Sequence, residues 1–441
     1  MVELTGQKVL VLGLGMTGAS AARFCAERGA RVVVADERPD VDTSGLPSGI
    51  EVRAGQAFPD PGDFDLVIPS PGIPHARYAS KAKRAWGDIE LAFRFLKVPI
   101  IAVTGTNGKS TTVRLIEAML RAAGLRARAA GNLGEPALDL VGQALDVAVL
   151  EVSSFQLEAV DAFRPKVGVL LNLSPDHLDR HETMAGYLAA KARLFARQDE
   201  NDHAILDLRN TRLRELASEL SAAVHAFDGE APVERGASCD GSCFVRTEAE
   251  AILRFPLPGG EPLPEPLRSN ALAAWLAACL VGADPARALG ALGDFQALPH
   301  RLERVCTIDD VEWIDDSKAT NPGAAARALE GMERSTIWIA GGRDKGLPFD
   351  ELVGASLGRV RRVLLIGEAA ASLGRALSRH ATTEQLGTLE AAVARAAELA
   401  VPGDAVLLAP ACASFDQFTS FEERGDRFTA LVHALTQEES P

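Results

Sequence analysis

A series of short, unbroken apolar runs constrains the fold of this chain more than any other feature. "KVLVLGLG", "ARVVVADE", "FDLVIPSPG", "IIAVTGTNGKS", "VAVLEVSS", "VGVLLNLSPD" and "HAILDL" are followed later by "STIWIAGGRDKG", "RVLLIGE" and "DAVLLAPACAS". Each ends in Gly, Ser, Asp or Asn, and an Ala/Leu/Arg-rich helical stretch usually comes next. Continuous rather than alternating apolarity marks strands buried on both faces, so parallel sheets with crossover helices are expected: an α/β chain. Such sheets keep their ligands in the loops beyond the C-terminal strand ends. Here those loops carry most of the residues with chemistry.

The 441 residues suffice for about three domains at ~150 residues each. Seams near Phe95–Val98 and Ala297–His300 predict a division into 1–97, 98–298 and 299–441. "FPLPGGEPLPEP" (Phe255–Pro266) reads as a surface loop, with a helix from Ser269 directly after it. The longest apolar run, Ala271–Ala283, is too short to span a bilayer and reads as a buried helix. A net charge of −14 speaks against nucleic acid or an anionic membrane surface as partner. Cys25, Cys239, Cys243, Cys279, Cys306 and Cys412 lack framework spacing, and Cys239 and Cys243 have neither a second pair nor a nearby His to make a metal knuckle. With acidic Glu3 ahead of the first strand, no signal peptide is expected. The expectation is a cytoplasmic protein without membrane insertion, acting as a monomer.

Two loops have phosphate-binding character. Gly13-x-Gly15-x-x-Gly18 lies between a strand and a helix, with Asp36 at the end of the next strand, where a ribose-binding acid belongs. That pattern serves NAD, any other nucleoside diphosphate with a free ribose, or a tight turn with no ligand. Ser70, Pro71 and Gly72 close a further strand and could add backbone N–H groups. The second loop, "TGTNGKST", has Val103 where the usual G-x-x-x-x-G-K-[ST] pattern has its first glycine. Its backbone from Thr106 to Lys109 can wrap a β-phosphate, Lys109 can reach β/γ oxygens, and Ser110 can hold Mg²⁺. Glu151 and His177, the latter beside Asp176, are expected at the ends of the following strands. Two such loops in separate domains point to an ATP-driven step on a substrate that itself carries a nucleotide.

"TGTNGKST", "EVSSFQLE", "NLSPDHLDRH", "YLAAKARLF", "PHRLE", "DDSKATNP", "GGRDKG" and "PACASFDQFTSFEERG" together resemble the Mur ligases of peptidoglycan synthesis, along essentially the whole chain. The shortened phosphate loop is the form that family uses. The resemblance implies a Rossmann-like N-terminal domain for a UDP group, a central P-loop ATPase-type domain and a Rossmann-like C-terminal domain for the incoming amino acid. It implies ATP-dependent amide formation through an acyl phosphate, and its last motif implies addition of D-glutamate to UDP-N-acetylmuramoyl-L-alanine.

Site residues follow from the resemblance position by position. Gly105, Thr106, Asn107, Gly108, Lys109, Ser110, Thr111, Asn270, Arg301 and Asp316 would hold ATP. Ser110, Glu151, His177 and Lys191 would serve two Mg²⁺ ions, with Lys191 as a carbamate, although on its own it reads as a solvated helix-surface lysine. Gly15, Met16, Thr17, Asp36, Arg38, Ser70, Pro71, Gly72, Asn132 and His177 would line the UDP-substrate site. Lys318, Thr320, Lys345, Ser414 and Phe421 would hold D-glutamate, with Lys318 also at the catalytic centre.

The chain departs from the family at "EPLRSNALAA", which keeps Asn270 but has Leu267 where another Asn contacts adenine; selectivity for ATP over other NTPs is the property this bears on. The competing readings are the L-alanine-adding member of the family, a folylpolyglutamate synthetase, and a non-catalytic two-site nucleotide sensor. The first-domain fingerprint argues against the folate enzyme, and retention of Glu151 and Lys191 argues against the sensor.

Overall fold

The structure, a computed structural model, describes residues 3–248, 251–296 and 298–437. Ala297, at the expected second seam, lies outside the described residues. The apolar runs form three sheets. The first holds β1 (Lys8–Leu12), β2 (Arg31–Asp36), β3 (Glu51–Ala54) and β4 (Leu66–Pro69) in the order β3-β2-β1-β4, all parallel. Helix α1 (Met16–Glu27) makes the first crossover, and α2 (Asp88–Phe95) leads out towards the second sheet.

The second sheet begins with β5 (Ile100–Thr104), which runs through the phosphate loop into α3 (Lys109–Ala122). It continues with β6 (Ala127–Gly131), β7 (Val147–Glu151), α4 (Ser154–Leu157), β8 (Val167–Leu170), α5 (Leu178–His181), α6 (Met184–Ala192), β9 (His203–Leu206) and β10 (Ala223–Asp228). Then come β11 (Gly236–Asp240), β12 (Cys243–Glu248) and β13 (Ala251–Pro256). The order is β13-β12-β11-β10-β9-β8-β5-β7-β6, parallel from β6 to β11 and antiparallel across β11, β12 and β13. Every residue of β5, β7 and β8 is buried, as continuous apolar runs require. The antiparallel extension was not anticipated. β13 is the edge strand and exposes most of its residues, the apolar Ile252 and Leu253 among them.

The third sheet holds β14 (Glu303–Ile308), β15 (Val311–Asp315), β16 (Thr336–Gly341), β17 (Val360–Ile366), β18 (Thr383–Gly387) and β19 (Ala405–Leu408). Its order is β14-β15-β19-β16-β17-β18, parallel but for the edge strand β14.

The first two sheets belong to one compact unit, made of residues up to Leu173 together with His177–Pro262 and Ser269–Phe295. Their union has a physical cause. One apolar core runs through Val9, Val11, Ile68, Leu91, Ile100 and Leu150. Fully buried Glu90 on α2 accepts from the backbone N–H groups of Asp161 and Phe163, both at 2.9 Å, and from Arg94 Nε at 2.6 Å. Gln156 Nε2 donates to Asp88 at 3.0 Å, and Ser20 Oγ to Asp139 at 2.8 Å. The second unit consists of Ser174–Asp176, Leu263–Arg268 and the chain from Gln296 onward.

The helix Leu267–Leu280 starts two residues before the expected Ser269 and is buried from Asn270 to Cys279. Among the described residues no helix is long and apolar enough to cross a membrane.

Candidate active site

The phosphate loop occupies the gap between β5 and α3. Gly108 caps α3 at φ 82°, and a Cβ there would lie 2.4 Å from Asn270 Oδ1, so no side chain fits. The first turn of α3 holds Lys109, Ser110 and Thr111 and no acid, so its N-terminal N–H groups and positive dipole end suit an anion.

A residue not singled out in the sequence fixes the loop's shape. Buried Asn172, beyond β8, accepts from Asn107 N and donates to Asn107 O, both at 2.9 Å, while its own carbonyl accepts from Thr106 N at 3.1 Å. Lys109 Nζ folds over the loop and donates to the carbonyls of Gly105 (3.0 Å) and Thr106 (2.9 Å).

Lys191 is not a surface residue. Helix α6 turns it inward, where it is 1% exposed, donates to Gly105 O at 2.9 Å and lies 4.4 Å from the Tyr187 ring centre. The solvated reading fails because Tyr187, Ala190 and Lys191 form the buried face of α6 and Lys191 ends on the phosphate loop.

Glu151 ends β7, whose register pairs it with Val103 on β5. It is 2% exposed; Oε1 accepts from Asn132 Nδ2 at 2.9 Å, and buried Oε2 has no hydrogen-bond partner among the described residues. A buried carboxylate oxygen without a donor fits a cation ligand, since leaving it unpaired is costly.

His177 does not end a strand. It lies beyond Leu170, the end of β8, at φ 53° as the N-cap of α5, with its ring 4.8 Å edge-on to Phe155. On the same short helix, His181 Nε2 is 3.0 Å from Ser154 Oγ, and burial pushes its imidazole below the ordinary value.

In the first sheet, Gly13 has φ 87°, and a Cβ on Gly18 would lie 2.0 Å from Gly13 O, so this turn admits only glycine at both positions. Gly15 caps α1, and Met16 and Thr17 open it; Met16 is exposed. Asp36, at the end of β2, is tied into the loop itself. Oδ2 accepts from Leu14 N (2.7 Å) and Arg38 Nη2 (2.8 Å), and Oδ1 from Arg38 N (2.9 Å) and Nε (3.1 Å). Hydrogen bonds from Arg38 hold this buried carboxyl far below the usual carboxylate range. Through these four bonds Asp36 shapes the glycine loop and orients Arg38. Ser70 Oγ donates to Gly13 O at 2.9 Å, and Ile73 N to Ser70 O at 2.9 Å, closing a tight turn with Pro71 and Gly72 at its corners.

In the second unit, β15 delivers the segment from Asp316 to Thr320. Lys318 Nζ lies 4.0 Å from the Phe421 ring centre, and Ser317 Oγ donates to Phe421 O at 2.8 Å. Buried Arg424 donates to Ser317 Oγ and Ser317 O, both at 2.9 Å, and to Cys412 O at 3.3 Å; burial pulls its guanidinium down to about 10. It thereby ties the Lys318 segment to the one that carries buried Ser414. Asp176 accepts from Asn321 Nδ2 at 3.0 Å and lies 3.4 Å from Lys345 Nζ. Thr320 N donates to Lys318 O at 2.7 Å. Burial raises the Asp316 carboxyl to about 7, against the pull of the Arg301 charge.

His300, Glu303 and Asp315 offer ligand atoms within 4.8 Å of one another. However, His300 Nδ1 is hydrogen-bonded to Asp315 at 2.7 Å and Glu303 accepts from His300 N at 2.8 Å, so the group braces the loop rather than awaiting a metal. Arg424, His300, Asn321 and Asn172 all escaped the sequence reading, although their motifs were on view. Asn172 and Arg424 hold backbone groups, Asn321 joins the Asp176 carboxylate to the backbone N–H of Ala324, and His300 pairs with the Asp315 carboxylate; composition reveals none of this.

Comparison with known proteins agrees with this arrangement. The Mur ligase MurD-like N-terminal domain matches residues 7–88, the Mur ligase middle domain 103–278, and the Mur ligase glutamate ligase domain 300–412. A UDP-N-acetylmuramoylalanine–D-glutamate ligase of Geobacter metallireducens is 40% identical over 458 aligned positions covering 100% of both chains. Its namesake in Anaeromyxobacter dehalogenans is 42% identical, with 98% of each chain covered. Among solved structures, a MurF ligase of Thermotoga maritima in complex with ADP aligns over 99% of both chains (TM-score 0.63, 16% identity). A pseudomurein peptide ligase type C of Methanothermus fervidus aligns over 98% of this chain and 100% of its own (TM-score 0.62, 18% identity). At those identities the two structures speak for the fold alone, whereas full-length relatives near 40% identity speak for descent: the chain belongs to the Mur ligase family.

Proposed function

We propose that this protein is an ATP-dependent ligase that joins D-glutamate to UDP-N-acetylmuramoyl-L-alanine. ADP, phosphate and UDP-N-acetylmuramoyl-L-alanyl-D-glutamate are the products. Full-length likeness to ligases of that name supports the substrate pair, and the phosphate loop built by β5, α3 and Asn172 is the observation that carries the chemistry. Residues 1–97 would bind the UDP moiety, 98–298 ATP, and 299–441 the amino acid.

The substrate carboxylate attacks the γ-phosphorus, ADP leaves, and the amine of D-glutamate then displaces phosphate from the acyl phosphate. Lys109 and the N–H groups opening α3 meet the charge that develops on the phosphoryl oxygens. Glu151, with its unpartnered oxygen, together with Ser110, His177 and a carbamylated Lys191, would hold Mg²⁺, which supplies further neutralisation of that charge. Lys318, Thr320, Lys345 and Ser414 give the amino acid two basic groups and two hydroxyls, a set suited to a dicarboxylate. A site that pairs both carboxylates discriminates against amino acids that lack one, because the missing interactions lower the affinity of the wrong substrate.

Phosphate release with ATP and UDP-N-acetylmuramoyl-L-alanine tests this. D-Glutamate should drive it, with L-glutamate, D-alanine and L-alanine far weaker. Lys345→Ala and Ser414→Ala should weaken D-glutamate use while sparing ATP binding. Faster release with L-alanine would reject the D-glutamate assignment.

A further inference from the structure

Within the first unit, one side chain connects two places that the sequence treats as unrelated. Arg180 lies on α5, the short helix that His177 caps. Its Nη2 donates to Ile73 O at 3.1 Å, at the close of the Ser70–Ile73 turn that abuts the glycine loop. The same nitrogen meets Glu158 Oε2 at 2.5 Å, Nε reaches Glu158 Oε1 at 3.4 Å, and the guanidinium carbon lies 5.2 Å from the centre of the Phe155 ring. Phe155 is the ring against which His177 sits edge-on.

We propose that Arg180 is a positioning residue that locks the Ser70–Ile73 turn to the His177 helix, so that a nucleotide substrate gripped by the turn has its reacting carboxylate aimed at the phosphate loop. This rests on the ligase reading above. The geometry separates it from a local clasp. An ion pair with Glu158 alone would tie α5 to the end of α4 and go no further. The bond to Ile73 O instead spans the first and second sheets, and it ends on a backbone carbonyl, so it fixes main-chain position whatever side chain occupies 73. The clasp with Glu158 sets the angle from which that bond is made: both side chains are mostly buried, at 16% exposure each, and a bidentate pair holds a guanidinium in one plane. Phe155, on α4, lies against both the guanidinium and the His177 ring and so backs the two from one side.

The test compares Arg180→Met, Arg180→Lys and Glu158→Gln. UDP alone, which lacks the carboxylate that this lock would aim, should bind Arg180→Met within about twofold of wild type. Turnover with UDP-N-acetylmuramoyl-L-alanine should fall tenfold or more in kcat, with the KM for ATP unchanged. Arg180→Lys keeps a donor to Ile73 O and should recover part of the rate, and Glu158→Gln, which leaves the Ile73 bond in place, should lose threefold or less.

Hydrogen exchange supplies a readout independent of catalysis. In the wild-type protein UDP-N-acetylmuramoyl-L-alanine should slow exchange in both 70–78 and 177–183; in Arg180→Met it should protect only the first. Wild-type turnover in Arg180→Met, or protection of both segments in that variant, overturns the proposal. A wild-type protein that shows the exchange coupling but no D-glutamate-dependent turnover would reject the ligase reading and leave the positioning role standing.

Discussion

Lys109 and Lys191 donate to the same oxygen: the carbonyl of Gly105 accepts from both Nζ atoms, at 3.0 and 2.9 Å. Two ammonium groups converging on one neutral acceptor repel each other, and the burial of Lys191 strips away the water that would screen them. Two events relieve that repulsion. A bound phosphate group would supply negative charge to Lys109, and carbamylation, where it occurs, would convert the Lys191 end into an anion.

Removing CO₂ should therefore lower ligase activity, and bicarbonate should restore it. Lys191→Ala should be nearly inactive and partly rescued by a small added carboxylate that enters the vacated space. A fully active Lys191→Ala enzyme would show that the buried amine serves packing alone.

Asn172→Ala should damage the phosphate loop while replacing none of the residues expected to contact ATP. It removes both side-chain bonds to the Asn107 peptide. At about 1 kcal/mol each, with a buried amide left unpaired as well, the loss corresponds to a weakening of ATP binding by about tenfold or more. Calorimetry with ADP would measure it, and Asn172→Asp should not rescue, since a carboxylate cannot donate to Asn107 O. Unchanged ADP affinity in Asn172→Ala would mean that the loop keeps its shape without this brace.

Asp36→Ala should raise the KM for the UDP substrate with little change in kcat, because it loosens the glycine loop and Arg38 far from the phosphoryl chemistry. If Asp36 acts through Arg38, Arg38→Ala should reproduce most of the effect and the double variant should add little. Additive losses would assign Asp36 a contact of its own. NAD should not bind the wild-type protein, and calorimetry would detect it if it did.

The three sheets were legible because interior parallel strands cannot avoid continuous apolar sequence: Ile100–Thr104 and Val147–Glu151 have no exposed residue. β13 went unread although it carries the apolar run Ala251–Leu253: it is the exposed edge strand of its sheet, and Arg254 and Pro256 break the run. Residues that meet a ligand through a charge or hydroxyl, such as Lys109 and Ser110, could be read from their motif. Residues that work by holding peptide groups could not. Arg424 and Asn172 look like any Arg and Asn until the chain is folded and their partners, Ser317 O, Cys412 O and the Asn107 peptide, come within reach. Asp36 combines the two: its spacing placed it at the glycine loop, and only the folded chain shows that it also holds Leu14 N and Arg38.

The last expectation concerns acid. His203 Nδ1 and His225 Nε2 are 3.1 Å apart on the neighbouring strands β9 and β10, and His225 is 3% exposed. Burial, then the charges of Arg235, His203 and Arg246, bring His225 down to about 3 from an ordinary 6.5. Burial and the charges of Lys166 and Arg235 lower His203 as well, against the opposing pull of Asp202 and Glu248. The folded protein thus keeps His225 neutral where the unfolded chain would protonate it. Between about pH 6.5 and 3 the unfolded state binds more protons, so stability from this group is complete above 6.5 and drains away as pH falls, by up to ~1.4 kcal/mol per pH unit. Asp88, raised to about 6 by burial, acts in the opposite sense over part of that window, so the comparison must be made against a variant. His225→Gln can still pair with His203 but cannot take up a proton. It should be the less stable protein in urea at pH 8, and the gap should close steadily from pH 6.5 to pH 4.5. Parallel stability curves for the two proteins across that range would show that His225 protonates as freely in the folded chain as in the unfolded one.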